Sequence, residues 1–411
     1  MEQRRQMVED WLDGQLAISA LSRDYGVSRK TIYKWLNRFK AEGEAGLKEH
    51  SRAPHGHPNA VSNDILERLV VMKLRHRDCG PKKLLYWLKR EAPEVVHWPA
   101  ASTVGDLLKK QGLVKARRKR QRTPPYTEPF LGCTKSNQVW SADFKGEFRT
   151  RDGRVCYPLT ITDNYSRYII LCRAIGRPSF EQTKPWFEWA FRKYGLPEAI
   201  RTDNGTPFAS IGVGGLSRLS IWFIKLGIRC ERIERGHPEQ NGRHERMHRT
   251  LDELAITPPQ ANFSEQQRAF DRFVAYYDFE RPHEALGQRP PAAVYQLSKR
   301  PYRGENMEIK YDPDTVVRLV RHNGEIRWYG DRIYLSQALA GEPVGLTQID
   351  RHQWQINFGR QRLGILDELK GKVLPFPKHG ENCNPCARSK VLPMSPVELT
   401  PQLLLAEEGR M

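Results

Sequence analysis

The stretch from Ile233 to Leu254 constrains this chain more than any other. From Glu234 it reads ERGHPEQNGRHERMHRTLDEL. His237-Pro238 and Asn241-Gly242 are turn signals, and from about Arg243 the spacing predicts a helix. Met247, Leu251 and Leu254 recur at i, i+4 and i+7, which gives that helix one apolar face to bury. Glu245 falls in the first turn, where the positive end of the helix dipole favours a carboxylate. Arg249 stands one turn later beside it. Such a helix packs on another layer while holding an acidic group at its start.

Two earlier aspartates give that carboxylate a context. In Gln138-Val139-Trp140-Ser141-Ala142-Asp143-Phe144, the residues Trp140, Ala142 and Phe144 share one face of a strand and Asp143 points the other way. In Ile200-Arg201-Thr202-Asp203-Asn204-Gly205 a short strand runs into a turn, with Asp203 at the carboxyl end, where open α/β sheets place their sites. Asp143, Asp203 and Glu245 thus come from three separate elements. Carboxylate oxygens are preferred ligands of Mg²⁺ and Mn²⁺. Two such ions, roughly 3.5–4 Å apart, clamp an in-line phosphodiester displacement.

The blocks VWSADFKGEF, RTDNGTPF and HPEQNGRHERMHRTL, in that order, resemble the catalytic core of the retroviral-integrase superfamily. The likeness spans about Ser136 to Tyr295 and is greatest to single-frame transposases of bacterial insertion sequences, the DDE type with a ribonuclease-H-like fold. The resemblance implies that Asp143, Asp203 and Glu245 form the catalytic triad and hold two Mg²⁺ (or Mn²⁺) ions. Two departures stand out. The interval between the second Asp and the Glu is longer than the family's, with the extra residues in the glycine-rich Ile211–Leu216. Where relatives carry Lys or Arg two turns after the Glu, this chain has Asp252, so the role of holding the DNA end passes to Arg249.

Charge agrees with a polyanionic partner. Lys and Arg number 67 against 48 Asp and Glu, a formal net charge of +19, which favours nucleic acid over a membrane surface. No run of apolar residues is long enough to span a bilayer. The start, MEQRRQMVEDW, lacks the apolar core of a signal peptide, so a cytoplasmic, DNA-associated protein is expected. Five scattered cysteines read as reduced thiols, and Cys383 and Cys386 as two free thiols in a tail without further zinc ligands.

Along the chain, residues 1–50 read as a helix-turn-helix DNA-binding domain. Ser28 caps a helix from Arg29 to Lys40 that buries Ile32, Trp35, Leu36 and Phe39. Its other face exposes Arg29, Lys30, Tyr33, Lys34, Asn37 and Arg38 for DNA. Residues 60–113 form a second helical, helix-turn-helix-like unit, whose last helix is expected to be capped by Ser102. Residues 114–135 are a basic linker, in which Lys115, Arg117, Arg118, Lys119 and Arg120 are placed to track the DNA backbone. Residues 136–298 form the ribonuclease-H-like core, a mixed α/β order of strands and helices. Short alternating runs over 305–370 predict a small β-barrel, and 371–411 reads as a disordered tail. Within the core, Asp163 is an Asx-turn former rather than a metal ligand, and Glu239 lies in the turn before the helix.

The expected function is that of a DNA transposase that binds the terminal inverted repeats of its own element, frees 3′ ends and joins them to target DNA. It acts as at least a dimer, since two ends are joined in one event. Two rivals remain. One is a DNA-binding regulator with an inactive core. The other is a zinc protease, because His244-Glu245-Arg246-Met247-His248 matches HExxH.

Overall fold

The computed structural model describes residues 2–14, 16–49, 60–114, 132–210, 212–233, 238–304 and 308–375. Contacts divide the chain into two compact units, Met1–Glu67 and Arg68–Met411. The basic run from Lys115 to Arg120, Cys383, Cys386 and residues 376–411 lie outside the described residues, whereas Lys372–Leu374, at the start of the expected disordered tail, form a strand.

The first unit is built from α1 (Glu2–Leu12), α2 (Ile18–Asp24) and α3 (Arg29–Glu42). Met7, Val8, Leu21, Ile32, Trp35 and Leu36 fill its core. Ser28 caps α3 by accepting a bond from the Thr31 amide at 3.2 Å, the role expected of a serine before an apolar-periodic run. Arg29, Lys30, Tyr33, Lys34 and Asn37 are exposed. Arg38 is half-buried, with its guanidinium 5.2 Å from the centre of the Trp35 ring, so the last of the six expected DNA contacts is partly committed to packing.

Three helices follow, α4 (Asn63–Arg75), α5 (Pro81–Glu91) and α6 (Ala101–Lys110). The cap of α6 is Ala100, without a side-chain bond, not Ser102. The first helical bond runs from the Val104 amide to the Ala100 carbonyl, which leaves Ser102 inside the first turn.

This module is fastened to the core by a buried ion pair. Arg281 Nε donates to Asp78 Oδ2 at 2.9 Å, and the two side chains are 11% and 4% exposed. The Tyr276 hydroxyl donates to the other Asp78 oxygen at 3.0 Å. His76 stacks on Trp87, with ring centres 3.8 Å apart, and also on Tyr276. Arg281 therefore braces the module against the segment after α10.

The core sheet runs β4 (Ile169–Ile175), β3 (Val155–Asp163), β1 (Val139–Phe144), β5 (Ala199–Thr202), β6 (Arg229–Arg232), with β2 (Phe148–Arg149) on the early part of β3. β3 is antiparallel to β1 and β4, whereas β1, β5 and β6 are parallel. Helices α7 (Phe180–Tyr194) and α8 (Arg218–Lys225) cover one face, where Trp140 and Ala142 meet Phe187, Phe191 and Phe223, with Phe144 packed alongside. On the other face α9 (Gly242–Leu251) and α10 (Phe263–Ala275) bring Met247, Leu251, Phe270 and Phe273 onto Cys156, Ile169 and Cys172. Leu254 is 41% exposed. A π-helical turn at Asp252–Ile256 shifts the register, and Ala255 and Ile256 take the buried positions instead.

The C-terminal region is not a closed barrel. Strands β7 (Val316–Leu319), β10 (Pro343–Asp350), β11 (Gln353–Phe358), β12 (Gln361–Asp367) and β13 (Lys372–Leu374) make an open sheet in the order β13-β12-β11-β10-β7. A separate hairpin pairs β8 (Glu325–Trp328) with β9 (Asp331–Tyr334). Closure is not needed to bury its apolar residues, because the core contributes to the same interior. Leu216 and Ile221 pack with Ile326, Leu335, Leu346, Ile356 and Phe358.

The glycine-rich segment between β5 and α8 makes this junction. Gly214 has φ +69°, and a Cβ there would stand 2.8 Å from Leu363 Cδ2 and 3.2 Å from its Cα. The Val213 amide donates to the Leu335 carbonyl at 3.2 Å.

Removing one partner of a buried ion pair strands the other charge, at a cost of about 3–5 kcal/mol. Arg281→Ala is therefore expected to lower the unfolding free energy by that order in urea titrations, and Asp78→Asn with Arg281→Met by clearly less. Burial raises the Asp78 carboxyl, but the Arg281 charge and the bonds from Arg281, Cys79 and Tyr276 outweigh it and hold it below 3.8. A depressed folded value means that the contribution is complete at neutral pH and is lost only as pH falls through that value.

Candidate active site

The parallel pairing of β1 with β5 sets Ala142 opposite Thr202. The next residues on the two chains, Asp143 and Asp203, therefore stand side by side at the carboxyl ends of neighbouring strands, which lie ~4.8 Å apart. Glu245 enters from the first turn of α9 on its exposed side. The negative charges of Asp203 and Glu245 both act on Asp143. The structure thus brings the three sequence-predicted acidic residues to one place.

Their surroundings make the negative charge costly. Burial first, then Asp203, then Glu245 push the Asp143 carboxyl up to about 7, against the backbone bond from Phe144. Burial also raises Asp203, against a backbone bond from Gly205. Asp203 Oδ1 is buried without a hydrogen-bond partner. Gly205 lies so close that a Cβ would stand 2.8 Å from Asp203 Oδ2. Asn241 Nδ2 donates to Asp143 Oδ2 at 3.2 Å, while Asn241 Oδ1 is also buried and unpartnered. Neighbouring carboxylates, one with an orphaned oxygen, fit a hard divalent cation.

Beneath Asp143 lies a polar brace. His244 and His248 are buried on the inner side of α9. Both Nε2 atoms lie 2.7 Å from Thr160 Oγ1, and His244 Nδ1 lies 2.9 Å from Thr162 Oγ1. Thr160 Oγ1 also donates to the Asp143 carbonyl at 3.1 Å. That carbonyl only accepts, so it takes the single Thr160 proton. Both Nε2–H groups then donate to Thr160, and His244 Nδ1 accepts from Thr162. Both rings are neutral in this arrangement. In keeping with it, burial pushes His244 down to about 3, and burial with the neighbouring His244 and Lys145 charges pushes His248 down to about 2.

Asp143, His244 and His248 do offer ligand atoms within 4.8 Å of one another. In the brace, however, both Nε2 atoms carry protons, and Glu245 lies on the exposed side of the helix. Both histidines of the HExxH pattern bond threonines of β3.

Asp163 behaves as its turn position predicts. Its Oδ2 accepts from the Ser166 amide at 2.8 Å and hydroxyl at 2.6 Å, and its Oδ1 accepts from the Asn137 amide at 2.7 Å. Glu239 side-chain placement lies outside what the structure describes. Arg249 is exposed on α9, one turn beyond Glu245. The sequence reading missed Asn241 and Thr160. A signal existed for the threonine: Thr160 and Thr162 interrupt the otherwise apolar Leu159-Thr160-Ile161-Thr162 of β3 at positions facing α9, and inward polar residues require polar partners.

Residues 134–238 and 226–291 match models described as integrase core domain. Residues 3–55 match a helix-turn-helix domain and residues 31–108 a homeodomain-like domain. The chain is 26% identical over 287 residues to the insertion element IS476 uncharacterized 39.2 kDa protein of Xanthomonas euvesicatoria, across 69% of this chain and 79% of that one. It is 26% identical over 245 residues to the insertion element IS407 uncharacterized 31.7 kDa protein of Burkholderia multivorans, across 59% and 83%. The transposase for transposon Tn552 of Staphylococcus aureus is 21% identical over 280 residues, across 62% and 56%. Among solved structures, the HTLV-2 integrase catalytic core domain in complex with magnesium aligns at 14% identity and a TM-score of 0.31, across 40% of this chain and 99% of that one.

The central region thus carries an integrase core domain, preceded by helix-turn-helix DNA-binding modules. The curated relatives it resembles are proteins of insertion elements and a transposon's transposase. Among the described residues no helix is long and apolar enough to cross a membrane.

Thr160→Val removes the hydroxyl on which three groups converge. Each buried group left unsatisfied costs about 1–3 kcal/mol, so a loss of several kcal/mol in unfolding free energy is expected. Thr160→Ser, which keeps the hydroxyl, is expected to recover most of it. Chemical denaturation of the two variants checks this.

Proposed function

We propose that this protein is a DNA transposase that cuts the ends of its own insertion element and joins the freed 3′ ends to target DNA. The observation that carries the reading is the meeting of three carboxylates on adjoining elements. Asp143 lies on β1 and Asp203 directly follows β5, its parallel neighbour, and Glu245 is close enough for its charge to act on Asp143. A buried carboxyl beside two further negative charges is unfavourable for a scaffold and suits a site that receives cations. Asp143, Asp203 and Glu245 would hold two Mg²⁺ or Mn²⁺ ions, which when bound stabilise the attacking and leaving oxygens of a phosphodiester displacement.

In the first step a water oxygen bonds to the end phosphorus, the 3′ oxygen leaves as a hydroxyl, and the water's proton is released. In the second, that 3′-hydroxyl oxygen bonds to a target phosphorus and loses its proton, and the target 3′ oxygen leaves and takes up a proton as a hydroxyl. No covalent enzyme intermediate is required. Asn241 steadies the Asp143 carboxylate, and Gly205 leaves room for that of Asp203. Arg29, Lys30, Tyr33, Lys34, Asn37 and Arg38 engage the terminal repeats, and Lys115, Arg117, Arg118, Lys119 and Arg120 follow the backbone. Arg249, on the exposed face of α9 beyond Glu245, holds the DNA end. Joining two ends in one event calls for at least two subunits.

Labelled element ends incubated with Mn²⁺ test the reading. Wild-type protein is expected to cleave and transfer them, and Asp203→Ala and Glu245→Gln to shift the same DNA in gels while leaving it uncut. His244→Ala with His248→Ala is expected to keep detectable cleavage. Cutting by Asp203→Ala at the wild-type rate would refute the site. Binding without any cutting by the wild-type protein would make it a DNA-binding regulator.

A further inference from the structure

A cleft of about 470 Å³ opens in the core and is lined by Cys133, Tyr165, Arg167, Arg243, Leu286 and Arg289, among others. Three arginines line it, and no carboxylate is among the described lining residues. Arg167 and Arg243 each donate to one neutral acceptor, the Asn164 carbonyl, the latter at 3.2 Å. Two like charges are thereby held together. Arg289 is exposed, and its Nε donates to the Leu286 carbonyl at 3.2 Å. Arg201 nearby is matched by Glu231 at 2.6 Å. Burial, followed by repulsion from Arg167, brings Arg243 down to about 10, with Arg201 and Arg246 adding to the effect. Burial raises the Cys133 thiol, which keeps it uncharged.

Arg243 lies two residues after Asn241, which bonds Asp143, and two before Glu245. The first turn of α9 thus serves the acidic centre on one side and the arginine cleft on the other. Fixed guanidinium forks match phosphate oxygens in a way that few other groups do. Tyr165, exposed at the edge, offers a ring on which a sugar or base can rest.

We propose that this cleft is a second DNA site, in which Arg167, Arg243 and Arg289 grip a backbone phosphate of the strand whose scissile linkage is presented to Asp143, Asp203 and Glu245. The proposal rests on the transposase reading for the identity of that strand. A phosphate contact of this kind positions DNA without reading sequence. Stapling of the Asn164 turn would explain Arg167 and Arg243 but would not call for Arg289, so Arg289 is the discriminating residue.

The test is binding of labelled duplexes by fluorescence anisotropy, in EDTA, between about 50 and 200 mM salt. Arg289→Gln is expected to weaken element ends and unrelated duplexes alike. It is also expected to make the plot of log affinity against log salt shallower by about 1, with thermal unfolding unchanged. An unchanged slope and affinity in a protein of wild-type melting temperature would overturn the proposal.

A calorimetric titration with inorganic phosphate separates the two phosphate sources. Phosphate binding that Arg289→Gln abolishes, beside an unaltered DNA slope, marks a free-phosphate site and likewise overturns it. Parallel cleavage assays on the wild-type protein keep the two readings apart. Cutting with no slope change sinks the cleft alone, and a slope change with no cutting sinks the transposase and leaves the cleft as a DNA site.

Discussion

The parallel pairing of β1 with β5 is the constraint on which the centre of this molecule depends. A one-residue slip in either strand would turn Asp143 or Asp203 to the opposite face, among Trp140, Phe187 and Phe191. The register is fixed by what lies on that opposite face, because Trp140 and Ile200 are fully buried there. Apolar packing below the sheet thus specifies the position of charge above it.

That position is unfavourable, and the neighbouring structure sustains it. The Thr160 hydroxyl joins the Asp143 backbone to both histidines of α9. The helix bearing Glu245 and the strand bearing Asp143 are therefore tied through one buried oxygen as well as by their apolar contacts. A network in which every member is satisfied holds its geometry more firmly than its separate bonds would suggest. Asp78 and Arg281 connect the preceding helical module to the segment that follows α10.

Much of this order could be read in the sequence, for reasons that differ from element to element. Trp140, Ala142 and Phe144 alternate with polar partners, so their strand and its two faces were legible from period alone. Ser28 and the periodic run after it marked α3. Asp143, Asp203 and Glu245 stood out because acidic residues at a strand end and a helix start invite explanation. The brace was not legible: that His244 and His248 face inward depends on which side of α9 the sheet lies, and no local pattern states this. Leu254 misled because a π-helical turn advances the register by a residue. The C-terminal strands were visible as strands, but whether a sheet closes depends on what else covers it. Here the cover comes from Leu216 and Ile221, about a hundred residues earlier.

The close seat of Gly214 against Leu363 bears on how the chain is partitioned. Judged by chemistry, the integrase core ends near residue 298 and an accessory sheet begins. Judged by cooperativity there is no such border, since Leu216 and Ile221 share an interior with Phe358 and Leu346. The sheet acts as a lid on the core's own apolar surface, and a chain shortened to the core would present that surface to water. The interval between the second and third acidic residues is then fixed in length by the sheet it seats. Recombination between relatives that exchanged one without the other would yield chains with a mismatched seam.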